Sequence, residues 1–285
     1  MPELPEVETI RQDLRKKILS KTIKKVSASA KARLNLSSAK FARSLQGQKF
    51  LEIDRIGKLL IFVLPKKLYL LVHLKMSGQL IYKRGREMIA GGHSDYQFSK
   101  ILPDNFTRVI FSFADGSKLF FNDMRRFGYL KIVTEAQWEK EKNKFGIEPL
   151  TKNFTLENFK NALHGRKTNI KAILLNQKLF AGIGNIYADE SCFAAGIRPN
   201  TRANKLTDAQ IKRLFSVIEK IMKQAIQKRG TTFNNFVDAD GNRGNFVASL
   251  KVYGRGGEEC RRCGTKLVRA KVAGRGTVYC PQCQK

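Results

Sequence analysis

The chain has 285 residues, and its 54 Lys and Arg against 24 Asp and Glu give a formal net charge of +30. This length is typical of about two domains, and a hydrophobic content of 42% excludes a disordered basic tail. No apolar run approaches the roughly 18 residues that span a bilayer, and the acidic N-terminus does not have the pattern of a signal peptide. We therefore expect a soluble, cytoplasmic protein that binds a polyanion, with nucleic acid favoured over a membrane surface.

The N-terminal half combines one helix with a β-rich region. Apolar residues recur at helical spacing from residue 7 to residue 18 and predict a helix that starts at Pro5. From about Lys24 to Val133, short runs of Ile, Val, Leu and Phe alternate with turn signals such as Asp115-Gly116. This pattern predicts a β-sandwich or barrel of about eight strands, with the first helix packed on it.

The C-terminal half has a helical pattern after a charged stretch at 135–152 that is typical of a linker. Helices are predicted at 155–163, 169–175, 186–194 and from Thr207 onward. The last of these begins with a capping box, Thr207 to Gln210, and Gly230 ends it. The polar, glycine-rich stretch 238–244 predicts a loop.

Four cysteines near the C-terminus have the spacing of a zinc site. Cys260 and Cys263 form one CxxC pair, Cys280 and Cys283 form a second, and sixteen residues separate the pairs. Two disulfides or a redox pair are the alternatives, and the cytoplasmic setting disfavours the first. We expect one structural zinc ion held by four thiolates. Alone, such a zinc ribbon on a basic protein indicates only nucleic-acid binding.

The segment PELPEVE at residues 2–8 resembles the opening of bacterial formamidopyrimidine-DNA glycosylases, repair enzymes that remove oxidised purines. Matching segments follow in the same order: Gly57-Lys58, HLKMSG at 73–78, DMRRFG at 123–128, AGIGNIYADE at 181–190, VYGR at 252–255 and the CxxC pairs. The resemblance implies an α+β multidomain fold: an N-terminal β-sandwich with a first helix, a helix–two-turn–helix domain and a C-terminal zinc-finger hairpin. We place these domains at 1–134, 153–236 and 237–285, with the linker at 135–152.

The resemblance also implies a catalytic N-terminus. If Met1 is removed, Pro2 exposes a secondary amine, and α-amines titrate about two to three pH units below lysine. Pro2 would attack C1′ of the damaged nucleotide and form a Schiff base, after which β,δ-elimination cuts the strand. Glu3 would transfer a proton at the sugar, Glu6 would support it, and Lys58 would contact phosphate and the departing base. The plainer alternatives are helix-dipole complementation for the glutamates and an ordinary snorkelling side chain for the lysine.

Removal of a base from duplex DNA requires its extrusion from the stack. By resemblance, Met76 would fill the gap, Phe127 would wedge beside the orphan base and Arg125 would bond the estranged cytosine. The alternative for Met76 and Phe127 is a place in the core. His73 would hold the phosphates or the glutamates, or it is a core histidine.

Two further residues are implied to bind phosphate. Asn185 opens a helix after a glycine-rich turn, where a simple N-cap is the alternative, and Arg275 lies at the tip of the finger hairpin. The loop at 238–246 corresponds to the segment that covers the extruded base. The expected partner is double-stranded DNA with an oxidised purine or an abasic site, bound by a monomer in the bacterial nucleoid. An endonuclease VIII-type enzyme for oxidised pyrimidines and a non-catalytic zinc-ribbon binder are the competing hypotheses.

Overall fold

The computed structural model describes residues 1–92, 101–231 and 245–285. These residues form two compact units, each built from two stretches of chain. The first unit comprises Met1–Asn143 and Lys228–Val247, and the second comprises Lys144–Gln227 and Ala248–Lys285. The predicted loop at 238–246 lies outside the described residues up to Gly244.

The first unit is an antiparallel β-sandwich with helix α1 (Leu4–Ile18) packed against β2 and β6. Its strands are β1 (Ile23–Ala28), β2 (Glu52–Ile56), β3 (Leu59–Leu64), β4 (Leu68–His73), β5 (Gly78–Arg84), β6 (Glu87–Gly92), β7 (Thr107–Phe113), β8 (Lys118–Asp123) and β9 (Tyr129–Thr134). One sheet has the order β1-β7-β8-β5-β6 and the other β2-β3-β4-β9. The predicted sandwich is therefore confirmed.

The sandwich core is rich in aromatic side chains that come from both sheets. The ring of Phe50, which just precedes β2, lies 5.0 Å from that of Phe62 in β3 and 6.1 and 6.3 Å from those of Phe111 and Phe113 in β7. All four side chains are buried. Burial of rings this large is a major source of the sandwich's stability.

Two further helices of this unit were not predicted. Helix α2 (Ser38–Leu45) interrupts the β-rich region, and helix α3 (Glu135–Lys142) occupies the first part of the segment predicted as a linker. Each begins with a hydroxyl N-cap, at Ser37 and at Thr134. In α3 the only buried side chain is Trp138, which packs 6.0 Å from the ring of Tyr69 in β4.

The second unit contains helices α4 (Leu156–Leu163), α5 (Ile170–Leu175), α6 (Asn185–Ala195) and α7 (Asp208–Gln227), and the hairpin of β10 (Val268–Val272) and β11 (Arg275–Tyr279). The capping box of α7 is present, since Thr207 and Gln210 exchange hydrogen bonds of 2.9 and 3.3 Å. The finger and α6 share one core, in which Phe193 of α6 packs with Leu267 and Cys280. Among the described residues, no helix has the length and apolarity needed to cross a membrane.

Candidate functional site

The start of α1 holds two acidic side chains in a fixed arrangement. Pro2 and Glu3 are both buried, and Glu3 is the N-cap of the helix. Its backbone N–H donates to Glu6 Oε2 at 2.9 Å, while its carboxylate accepts from the backbone N–H of Glu6. This reciprocal capping box fixes the Glu3 carboxylate against the first turn of α1. The expected helix-terminus role of the glutamates is therefore present in the structure.

Glu6 also binds the residue that precedes the undescribed segment 232–244. Its Oε1 accepts from the backbone N–H and the hydroxyl of Thr231, at 2.7 and 3.0 Å. Gly230 has a φ of +80°, and a Cβ there would lie 2.8 Å from the Glu6 carboxylate. Only glycine fits this close approach without strain.

Lys58 lies in the two-residue turn that joins β2 to β3. Ile56 pairs with Leu59 across this turn, and Gly57 takes a left-handed φ of +55°. Although it belongs to a turn, Lys58 is only 6% exposed. An ordinary surface lysine keeps its ammonium in water, so this burial sets Lys58 apart from most lysines of the chain.

His73 ends β4 and is neutral at physiological pH. Burial, with a further contribution from the charges of Lys75 and Lys58, lowers its pKa to about 3. Its Nδ1 accepts a hydrogen bond of 3.0 Å from the backbone N–H of Lys75, so the ring proton is on Nε2. A neutral imidazole in this state can donate one hydrogen bond to an anionic oxygen.

Arg125 and Phe127 lie on an exposed loop after β8, and Met76 is half-buried in the turn before β5. Phe127 is 44% exposed, and the Arg125 guanidinium lies 4.9 Å from the centre of its ring. Neither Met76 nor Phe127 belongs to the sandwich core. An exposed aromatic ring beside a base-edge donor suits insertion into a base stack.

A buried pair, whose residues lie in the matching segments 73–78 and 123–128 but had no role assigned from the sequence, holds these two loops together. The Ser77 hydroxyl donates to Asp123 Oδ1 at 2.5 Å and accepts from the Arg125 N–H at 2.9 Å. Asp123 Oδ2 accepts from the Gly128 N–H at 2.7 Å. Arg125 and Phe127 are therefore presented from a backbone that is anchored on both sides.

In the second unit, Asn185 lies beside the finger hairpin. The N-cap of α6 is Gly184, so Asn185 is not the cap; its side-chain amide instead donates to the Gly276 carbonyl at 3.0 Å. The two residues line a surface cavity of about 500 Å³ together with Arg275 and Arg269. Two guanidinium groups and an amide around one open cavity suit a phosphate group.

A buried ion pair, which sequence reasoning missed, fixes this hairpin. Lys171 of α5 and Asp189 of α6 are both 0% exposed, with Nζ and Oδ1 2.7 Å apart. Lys171 also donates to Thr277 Oγ1 at 2.7 Å, and Asp189 accepts from the Val278 N–H at 3.2 Å. The pair thus connects two helices to β11, the strand that carries Arg275.

The four predicted metal ligands converge. The Sγ atoms of Cys260, Cys263, Cys280 and Cys283 all lie within 4.8 Å of one another. The Sγ atoms of Cys263 and Cys280 are 3.5 Å apart and those of Cys260 and Cys283 are 4.0 Å apart, which is too long for a disulfide and close to the roughly 3.8 Å edge of a ZnS₄ tetrahedron. Backbone N–H groups also donate to two of the sulfurs at 3.4 Å, which suits thiolate. The donor set therefore fits one structural zinc ion.

Three sequence families match the chain in order. The Formamidopyrimidine-DNA glycosylase N-terminal domain matches residues 1–130, the H2TH domain of the same enzymes matches 145–236, and the zinc finger found in FPG and IleRS matches 257–285. The third match supports the assignment of the four cysteines to zinc.

Relatives and solved structures match over the whole chain. Proteins named Formamidopyrimidine-DNA glycosylase from Heliobacterium modesticaldum and Desulfitobacterium hafniense are 40% and 41% identical, with 100% of both chains covered. A Lactococcus lactis FPG variant in complex with Fapy-dG-containing DNA has a TM-score of 0.87 at 33% identity, with 100% of both chains covered. Lactococcus lactis Fpg with abasic-site DNA has a TM-score of 0.86 at 32% identity, with 99% of both covered. The resemblance is confirmed: the chain belongs to the formamidopyrimidine-DNA glycosylase family.

Proposed function

We propose that this protein is a bifunctional DNA glycosylase and AP lyase of base-excision repair, which excises 8-oxoguanine and formamidopyrimidines and then cuts the strand. The observation that carries this proposal is the buried Pro2, followed directly by Glu3, whose carboxylate is fixed by the helix cap. The substrate is double-stranded DNA with an oxidised purine or an abasic site. Related structures that hold DNA with Fapy-dG or an abasic site support this choice.

Removal of Met1 leaves Pro2 with a secondary amine, whose lone pair attacks C1′ as the bond from C1′ to the base breaks. The base leaves with the electron pair of the broken bond and takes up the proton that the attached Pro2 nitrogen loses. Glu3 then protonates the ring oxygen, the C1′–O4′ bond opens, and the freed nitrogen lone pair completes the iminium. This electron sink acidifies the C2′ proton. Its loss expels the 3′ phosphate by β-elimination, a second elimination expels the 5′ phosphate, and water releases the sugar fragment from Pro2.

DNA handling falls to the residues around this centre. Met76 fills the space left by the extruded base, Phe127 stacks beside the orphan base, and Arg125 bonds its edge. Extrusion costs a few kcal/mol, and the anchored loop backbone means that little of the wedge has to be ordered on binding.

Phosphate contacts come from both units. Lys58 provides a cation near the reacting sugar, and neutral His73 donates from Nε2. Asn185 and Arg275 bind phosphate in the cavity beside the finger hairpin. We place the protein as a monomer in the bacterial cytoplasm, associated with the nucleoid through its DNA.

Borohydride trapping tests this function. With a duplex that contains 8-oxoguanine opposite cytosine, reduction should yield one covalent adduct, and peptide mapping should locate it on Pro2 rather than Lys58. Pro2→Gly should keep part of the trapping, because it still offers an α-amine. Glu3→Gln should slow base release by about 10²- to 10⁴-fold, since an amide cannot transfer the proton.

The matched control is a chain with one extra residue ahead of Pro2, which converts the amine to an amide and should abolish trapping but not duplex binding. An adduct on an internal lysine, with full activity in that extended chain, would overturn the catalytic proposal and leave a DNA-binding protein.

A further inference from the structure

Glu8 gathers an ion cluster on the second turn of α1 that the proposed chemistry does not use. Its Oε1 accepts from Arg11 Nη2 at 2.6 Å and from Gln12 Nε2 at 2.9 Å, and its Oε2 accepts from Arg11 Nε and Arg55 Nε, each at 3.0 Å. Glu8 is only 8% exposed. Burial would raise the pKa of Glu8, but the hydrogen bond from Arg11 and the charge of Arg55 overcome this and lower it. Glu8 is therefore an anion at neutral pH.

Arg55 continues this cluster from the helix to the turn that carries Lys58. While its Nε binds Glu8, its Nη1 donates to the carbonyl of Gly57 at 3.1 Å. The Arg55 side chain is 10% exposed. One planar guanidinium thus connects α1 with the peptide group immediately before Lys58.

The geometry points to Glu8 and Arg55 as positioning residues, which hold the Lys58 turn in register with the catalytic start of α1. This inference rests on the proposed roles of Pro2 and Lys58. Glu8 lies five residues after Glu3, about 7.5 Å along the helix axis. The same rigid helix therefore presents the N-terminus at its end and anchors the Lys58 turn through its side.

The turn that Arg55 contacts is short, since two residues make the connection, and Gly57 adopts a left-handed φ of +55° that other residues adopt only with strain. A lysine in place of Arg55 would preserve the charge but not the simultaneous contact with Glu8 and the Gly57 carbonyl. Arg55 uses two nitrogens of one plane for two acceptors, whereas an ammonium offers its donors from one point.

A second ion pair between the same two elements provides a matched control. Arg15 of α1 binds Glu52 of β2 at 2.6 Å, but the two side chains are 40% and 48% exposed. This pair lies at the opposite end of β2 from the turn. Loss of Arg15 therefore removes a helix-to-strand contact without touching Gly57.

Single-turnover base release at saturating enzyme tests the inference on an 8-oxoguanine·cytosine duplex. Arg55→Met should lower the rate constant by about 10- to 100-fold, with duplex affinity changed by less than about twofold. Arg55→Lys should not restore the rate, Glu8→Gln should also lower it, and Arg15→Met should leave it unchanged. Should Arg55→Met fail to fold, Arg55→Lys and Glu8→Gln carry the test.

The decisive comparison adds Arg55→Met to a Lys58→Ala chain. If Arg55 acts through Lys58, the Arg55→Met substitution should not slow base release any further in the Lys58→Ala chain. Equal slowing in the wild-type and Lys58→Ala chains would show a merely structural role for Arg55 and overturn the inference. If Lys58→Ala is slow but Arg55→Met, Arg55→Lys and Glu8→Gln all release the base at the wild-type rate, the inference is refuted and the proposed role of Lys58 stands. A wild-type rate for Lys58→Ala would refute the proposed role of Lys58, and the inference with it.

Discussion

Replacement of Lys171 by Met should destabilise the second unit strongly. Lys171 and Asp189 are both 0% exposed and 2.7 Å apart, and removal of one partner from such a pair costs about 3–5 kcal/mol of unfolding free energy. For a unit of this size, the expected fall in Tm is roughly 10–20 °C. The loss includes the hydrogen bond from Lys171 to the Thr277 hydroxyl.

The unfolding free energy lost in Lys171→Met should depend on pH, with a smaller loss in acid. Burial raises the pKa of Asp189 to about 6 against the opposing charge of Lys171, and removal of that cation raises it further. A carboxyl whose pKa is higher in the folded chain favours folding below its unfolded pKa of about 3.9 and loses this contribution as pH rises through the folded pKa. The stability gap between variant and parent should therefore be narrower at pH 5 than at pH 7.5.

Urea unfolding followed by far-UV circular dichroism, with zinc present, measures this gap. The matched control is Lys160→Met, which breaks a Lys–Asp pair of the same unit: Lys160 binds Asp208 at 2.9 Å, but the side chains are 39% and 84% exposed. That change should stay within about 1 kcal/mol. A loss for Lys171→Met no greater than for the control, or a gap independent of pH, would refute the reasoning.

Four other outcomes are expected. Metal analysis should find one zinc per chain. Chelation should lower the Tm of the helical unit as well as release the finger, because Cys280 shares a core with α6. Zinc-free protein with an unchanged Tm would contradict this. On acidification from pH 6 to 4, unfolding free energy should fall by about 1.4 kcal/mol per pH unit from His73 alone, since its folded pKa of about 3 lies below its ordinary 6.5; His73→Gln should flatten this slope. Arg275→Ala and Asn185→Ala should weaken binding to all duplexes, and the former should lower the salt slope by about 0.9; an unchanged slope would remove Arg275 from the interface. Met76→Ala should slow lesion extrusion, seen by a fluorescent base analogue, while affinity for undamaged duplex stays constant.

The sequence predicted those structural elements that depend on residues close together in the chain. The Thr207-to-Gln210 capping box forms, and the CxxC spacing brings all four sulfurs together. Helix α3 escaped prediction, because seven of its eight side chains stay out of the core and only Trp138 is buried, so no apolar periodicity marks it.

Contacts that join distant parts of the chain left no comparable signal. Lys171 and Asp189 lie eighteen positions apart on different helices, and Glu8 meets Arg55 across 47 residues. All four are charged residues that single-sequence reasoning assigns to the surface, since Lys, Arg, Asp and Glu are rarely buried unless paired. Only the fold reveals the pairing, which joins α1 to the turn of Lys58 in one case and two helices to β11 in the other.

The order of synthesis has a consequence for how this chain acquires its structure. Neither unit is a contiguous stretch: the first unit also includes Lys228–Val247, and the second resumes at Ala248–Lys285. Thr231, the partner of Glu6 at the start of α1, leaves the ribosome long after α1. A nascent chain therefore exposes an unfinished N-terminal site until most of the protein has been made, and the last cysteines to emerge complete both the metal site and the helical core. No simple truncation isolates either unit intact.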